Sequence, residues 1–205
     1  EYKECINKGL VMGTILGRKL QVRGESRETK SSRKDNGRID KRLIAELGFG
    51  NNRVFQTTFT ESYSDAILHI SVDASGSMSG RKWTKTMTSV VAITKACSMI
   101  QNVDVVVSFR STDDGGNYST RRTDTKPLII IAYDSRVDNF KKVKRDFPHI
   151  HPGGTTPEGL CFEAILDDFV PSTTERDSYF LNFSDGMPMF STNDLYYTGE
   201  DALLH

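Results

Sequence analysis

The chain has 205 residues, and its 27 Lys and Arg cancel its 27 Asp and Glu to a formal net charge of zero. That balance removes the simplest electrostatic argument for nucleic acid or an anionic membrane surface as the main partner. No apolar run reaches the length of a membrane span. The length suits one domain plus extensions, while a hydrophobic fraction of only 37% implies that some segment is solvated. The N-terminus carries neither a signal-peptide pattern nor an initiator Met, which reads as a fragment or trimmed chain. Three cysteines, Cys5, Cys97 and Cys161, are odd in number and widely spaced, so buried thiols are expected rather than a disulfide framework. A cytoplasmic or otherwise reducing setting follows, and the two sequons beginning at Asn117 and Asn182 then carry little weight.

In chain order, residues 1–23 predict a helix with Ile6, Leu10, Ile15, Leu16 and Leu20 on one face, against the low propensity of Gly9, Gly13 and Gly17. Residues 24–40 are dense in both charges, and Asn36-Gly37 inside them is a hairpin-turn signal. This stretch reads as a solvated hairpin or arm, or else as a basic contact surface. A short helix is predicted over 39–47, closed by Gly48 and Gly50, then a strand over 54–59 leading into the central one. Ala66 to Val72 is apolar and partly β-branched, the pattern of a buried strand. Residues 81–100 repeat Val90, Val91, Ile93, Ala96, Cys97 and Ile100 at helical spacing. Strands follow at 103–109 and 128–133, with the polar loop 111–125 between them. An amphipathic helix over 137–147 is stopped by Pro148. The turn Pro152 to Gly159 enters a helix reaching Phe169, with Pro157 suited to its first position. A strand over 178–183 ends at Ser184-Asp185-Gly186, and a helix is predicted from Asn193 onward. Strands alternating with helices predict an α/β fold, with a parallel or mixed sheet covered on both faces.

The chemistry gathers at strand ends. Asp73-Ala74-Ser75-Gly76-Ser77 lies on the turn between the predicted buried strand and the helix after it. Ligands of open α/β sheets bind outside the carboxyl ends of strands, where turns distant in sequence meet. Two further turns, Gly154-Thr155-Thr156 and Ser184-Asp185-Gly186, carry the same kind of donor. Hydroxyls with one or two carboxylates form a hard, weakly charged oxygen set, which suits Mg²⁺.

Asp73-x-Ser75-x-Ser77, then Gly153-Gly154-Thr155, then Ser184-Asp185-Gly186, in this order, resemble the metal-ion-dependent adhesion site of von Willebrand factor type A domains. The resemblance covers about residues 60–190. It implies a three-layer, doubly wound, mostly parallel sheet over residues 60–205, lacking the last strand and helix, after an extension at 1–59. It implies that Asp73, Ser75, Ser77, Thr155 and Asp185 hold the divalent ion, Mg²⁺ or alternatively Mn²⁺ or Ca²⁺, with Thr156 as the alternative to Thr155. One open position on the ion would take an Asp or Glu of a partner protein. Met78, Trp83, Thr156, His151 and Met187 are the expected rim around it, Trp83 and the methionines serving either there or in the core.

A narrower resemblance adds Gly17-Arg18-Lys19-Leu20, Gly37-Arg38-Ile39-Asp40 and Phe55 to Val72 through Arg81. Together they resemble the C-terminal region of the CobT subunit of aerobic cobaltochelatase, which implies a non-catalytic adaptor working with an AAA+ ATPase or another chelatase subunit. The acidic low-complexity region preceding that domain in the family is not in this sequence, and the loop 111–125 has no counterpart there. The competing reading is an enzyme, either a chelatase acting on a tetrapyrrole or a metal-assisted hydrolase. A hydrolase would need His149, His151 or Glu158 as its general base. His149-x-His151 lacks further nitrogen or sulfur ligands nearby, Ser79-x-x-Lys82 lacks the companion motifs of serine acylases, and Gly153-Gly154-Thr155-Thr156 lacks the lysine of a P-loop.

Overall fold

The computed structural model describes residues 2–24, 27–61, 65–113, 126–167, 171–186, 188–191 and 196–197. The chain forms two compact units, one of residues 1–21 and 64–205, the other of residues 22–63.

The smaller unit is a three-stranded antiparallel sheet of β1 (Arg27–Lys34), β2 (Arg38–Ile39) and β3 (Phe55–Glu61), in the order β1-β3-β2. The turn containing Asn36-Gly37 is present, with Gly37 at φ +119°, but it does not join two paired strands. It carries the chain across the end of β3, so that Lys34 and Ile39 both pair with Phe55. The strand expected to lead into the central one is β3, and it belongs to this separate sheet. A 3₁₀ turn over Ile44–Phe49 ends at Gly50 in the left-handed conformation, close to the short helix expected there.

The larger unit is α/β. Its sheet has the order β6-β5-β4-β7, built from β4 (Asp65–Asp73), β5 (Val103–Asp113), β6 (Lys126–Asp134) and β7 (Arg176–Phe183). β4 runs parallel to β5 and β7, while β6 runs antiparallel on the edge of β5, a common variation on a parallel sheet. Ile67 and His69 through Asp73 of β4 and Val105 through Arg110 of β5 are buried in succession. This is the signature of central strands covered on both faces. The edge strands β6 and β7 alternate or stay exposed along much of their length.

Between the strands lie α2 (Arg81–Cys97), α3 (Lys141–Asp146) and α4 (Glu158–Asp167). α3 starts later than the apolar pattern suggested, because Asn139 Oδ1 accepts a hydrogen bond from Lys141 N at 3.0 Å and Val137 stands exposed. In place of a helix near the C-terminus, Tyr196–Tyr197 pairs with Phe190–Ser191 as a two-residue ladder, β9 on β8. The rest of that predicted helix lies outside the described residues, as do Phe169 and most of the loop 111–125.

The N-terminal helix α1 (Tyr2–Gly24) forms as predicted, on a different face. Its buried stripe is Cys5, Ile6, Gly9, Gly13 and Gly17, while Ile15 and Leu16 are exposed. The glycines that argued against a helix let it approach α2 closely. A Cβ on Gly13 would stand 2.5 Å from the Ala92 carbonyl oxygen and 2.6 Å from Lys95 Cβ. Replacing an interior helical Gly by Ala gains about 1 kcal/mol of propensity, but forcing a methyl against backbone costs about 1–3 kcal/mol. The steric effect should win. Gly13→Ala is expected to lower the urea midpoint at unchanged m-value, while Val11→Ala on the exposed face leaves it within error.

Candidate functional site

Parallel pairing brings the ends of β4 and β7 to one level, with β5 continuing past them. Val72 lies opposite both Phe109 and Phe183, and Asp73 lies opposite Arg110. The first turn therefore leaves β4 beside the end of β7 and beside Arg110 of β5, which continues to Asp113. Asp73 is fully buried, and its Oδ1 accepts a hydrogen bond from Ser75 N at 2.8 Å, tightening the turn. Ser75 and Ser77 place their hydroxyl oxygens 2.9 Å apart.

The second turn is bound to the first through backbone. Gly153 N donates to the Ala74 carbonyl at 2.7 Å, and Gly76 N donates to the Gly154 carbonyl at 3.0 Å. Gly154 has φ +70°, and a side chain there would collide with Thr112, so both the conformation and the space favour glycine. Thr156 N and O pair with Met189 in an isolated antiparallel bridge. This fixes Thr156 so that its buried hydroxyl donates toward Asp73, 3.3 Å from Oδ1 and 3.2 Å from Oδ2. Thr155 turns elsewhere: its N–H donates to Thr112 Oγ1 at 2.9 Å, and its own hydroxyl reaches the same atom at 3.5 Å. Of the two threonines it is thus Thr156 that contacts the Asp73 carboxylate.

Asp185 closes the group. Lys82 Nζ donates to its Oδ2 at 2.9 Å, while its Oδ1 is buried with no hydrogen-bond partner among the described residues. The hydrogen bond from Lys82 holds the carboxyl below the usual range, helped by the Ser77 hydroxyl and opposed by burial. Asp73, Ser75, Ser77 and Thr156 are therefore linked by hydrogen bonds, and Asp185 is tied to the same end of the sheet through Lys82 at the start of α2.

Below this group is Arg110, a residue outside the predicted strand. It is fully buried, with Nη1 donating to Ser71 Oγ at 2.8 Å and Nη2 to Glu158 Oε1 at 2.6 Å, its guanidinium 4.9 Å from the Phe162 ring centre. Asn182 also donates to Glu158 Oε1, at 2.9 Å. Glu158, a candidate base, is thus already the counter-ion of a buried cation. Burial pulls the Arg110 pKa down, while Glu158 and then Asp73 push it up. The signal in the sequence was a basic residue after Val105-Val106-Val107-Ser108-Phe109, on the strand face shared with Ser108.

Three of the expected rim residues are buried: Thr156, in contact with Asp73, and Met78 and Trp83, which belong to the core. Met78 and Trp83 are 3% and 0% exposed, with Trp83 tilted against Phe109 at a centroid distance of 5.9 Å. Both side chains fill the space under the start of α2, so no partner can touch them. Met187 lies outside the described residues. His151 is exposed, tilts against Tyr2 at 5.1 Å, and lines a cavity of about 260 Å³ with Ala74, Phe109 and Ile150. The three cysteines are free and buried, and burial pushes the Cys97 and Cys161 thiols up to about 11. No helix among the described residues is long and apolar enough to cross a membrane.

No three His, Cys, Asp or Glu side chains gather as a metal cluster among the described residues. Any cation at the strand ends would therefore be held largely by hydroxyls and water. The unpartnered Asp185 Oδ1 and the adjacent serine hydroxyls fit a hard ion of that kind.

No family model matches the chain, and no curated protein matches it. Among solved structures, it is similar to three N-terminal domains of the type V pili tip protein Mfa5 from Porphyromonas gingivalis. The TM-score is 0.40 at 13% identity, over 65% of this chain. The chain spans 22% of the length of that structure.

Two predictions arise from the charges. Arg110→Met leaves Glu158 nearly buried without its cation and should cost about 3–5 kcal/mol in urea unfolding, much of it recovered in Arg110→Met/Glu158→Leu. A depressed carboxyl stabilises the fold fully above its unfolded pKa of about 4 and loses that contribution as pH falls through the folded value. Carboxyl-carbon NMR should accordingly place the Asp185 midpoint below about 4, and Lys82→Met should move it upward.

Proposed function

We propose that the larger unit is a type A domain whose strand-end site binds a divalent cation, Mg²⁺ first among them, and through it an acidic side chain of a partner protein. The observation that carries this reading is the joining of three turns, spread over more than a hundred residues of sequence, at one end of the sheet: Thr156 bonds to Asp73, and Lys82, just after the first turn, bonds to Asp185. The mixed sheet with parallel central strands supports it, because it brings the first and third turns to one edge. The three-layer arrangement of the resembled family belongs to the same proposal.

Asp73, Ser75, Ser77 and Asp185 would hold the ion, joined by a threonine of the second turn. Thr156 has the geometric support for that place through its contact with Asp73, and Thr155 is its neighbour. A cation held mainly by neutral oxygens retains the charge to attract an external carboxylate. Asp73 keeps its orientation through Ser75 N and Thr156, and Ser75 and Ser77 hold each other's hydroxyls at the entrance. These are binding roles, so the chain acts as an adaptor. The narrower resemblance gives the partner as an AAA+ ATPase or chelatase subunit, and the three free thiols suit the reducing, cytoplasmic setting expected from the sequence.

Ligand binding to the folded state alone stabilises by RT ln(1 + [L]/Kd), about 2.7 kcal/mol at a hundredfold excess over Kd. Mg²⁺ is therefore expected to raise the melting temperature of the wild type and EDTA to reverse it, while Asp73→Ala shows neither shift. A wild-type melting curve indifferent to Mg²⁺, Mn²⁺ and Ca²⁺ at millimolar concentration would reject the reading.

A further inference from the structure

We propose that Lys82 is a built-in rival of the divalent cation, competing for Asp185 and so setting how tightly the site binds metal. The inference rests on the metal-site reading above. Lys82 Nζ lies 2.9 Å from Asp185 Oδ2, so an ion bound to this carboxylate must either displace the ammonium or share the carboxylate with it.

The two partners differ in freedom. The Asp185 side chain is 11% exposed, fixed at the end of β7, whereas the Lys82 side chain is 59% exposed on a flexible stem at the start of α2. Lysine is strongly hydrated and loses little on returning to water, and an ion pair with one exposed member is weak. The carboxylate stays and the ammonium yields. Displacement is possible, at a cost paid in metal affinity.

The surrounding charges explain what such a rival achieves. Five charged groups among the described residues, Asp73, Asp185 and Glu158 negative and Arg110 and Lys82 positive, carry a formal sum of −1 at the site. A divalent ion brings that sum to +1, which favours an incoming carboxylate. Without the lysine charge the corresponding sums are −2 and zero: the metal is held more tightly, and the pull on an acidic partner is lost. Lys82 thus gives up metal affinity and leaves a residual positive charge for the partner. Arg110 cannot play this part, because it is fully buried and already bonded to Ser71 and Glu158.

The test titrates Mg²⁺ alone into the full chain by calorimetry, with Trp83, the only tryptophan of the chain and a buried one, as a fluorescence reporter. Lys82→Met is expected to bind Mg²⁺ roughly tenfold more tightly than wild type, a gap that narrows with added NaCl as screening grows. Lys82→Arg, which keeps the charge, should stay near wild type. Wild type and Lys82→Met binding Mg²⁺ equally, or the variant binding more weakly, overturns the inference while leaving the metal site standing. If neither binds while both give the folded circular-dichroism spectrum, the metal-site reading fails and this inference with it.

Discussion

The structure depends on the parallel register of β4 with β5 and β7. Val72 faces Phe109 on one side and Phe183 on the other, so β4 and β7 end at one level while β5 runs on to Asp113 alongside β6. Two residues past Phe183 comes Asp185, and one past Val72 comes Asp73. Strand side chains alternate between faces, so a slip of one residue in either pairing would turn a whole set of side chains to the wrong side. The buried runs of β4 and β5 oppose such a slip, since it would move Arg110 away from Ser71 and Glu158 and leave a cation buried without its counter-ion. The same apolar packing that builds the core therefore fixes where the oxygen donors stand.

The second turn has no strand to position it and is held by backbone contacts instead. Gly153 and Gly154 bond to Ala74 and Gly76, and Ser111 and Thr112 at the end of β5 bond to Gly153 and Thr155. At Gly154 an added side chain would meet Thr112 and Ser111, so the close approach needs glycine there. The turn is thus carried by the first turn and by the end of β5, and inherits its position from the sheet register. Thr156 is then aimed by its bridge to Met189, close after Asp185 in the chain, so all three turns constrain one another.

Much of this was legible in the sequence. The run Ala66 to Val72 followed by Asp73-x-Ser75-x-Ser77 and an amphipathic helix gave strand, turn and helix in their correct places, because burial on both faces leaves a continuous apolar run. Asp185 at a strand end was equally visible. Which of Thr155 and Thr156 contacts Asp73 was not, since the two side chains are identical and only tertiary contacts, the Met189 bridge of Thr156 and the Thr112 contact of Thr155, tell them apart. Met78 and Trp83 could be placed only with the tertiary packing known, because large apolar residues suit a rim or a core alike. Gly9, Gly13 and Gly17 were read by propensity when proximity was the controlling fact: three glycines four residues apart form one stripe of a helix, and that stripe lies on α2. The strand β3 satisfied the local pattern for a strand, and nothing local could say which sheet it joins.

The two cations near the site divide its electrostatics into a fixed part and an adjustable part. Arg110 is enclosed by Ser71, Glu158 and the Phe162 ring, so its effect on Asp73 is set once, when the chain folds. A buried guanidinium with a buried counter-ion adds little to stability compared with well-packed apolar groups, yet it cannot lose its partner without a large penalty. It therefore holds Glu158 as an acceptor. Lys82 carries the same charge at the solvent boundary, where leaving Asp185 exposes the ammonium only to water. Two positive charges of equal size thus act differently because one is walled in and the other is tethered. That difference lets one group of oxygens be rigid in its geometry and still respond to what arrives from solution.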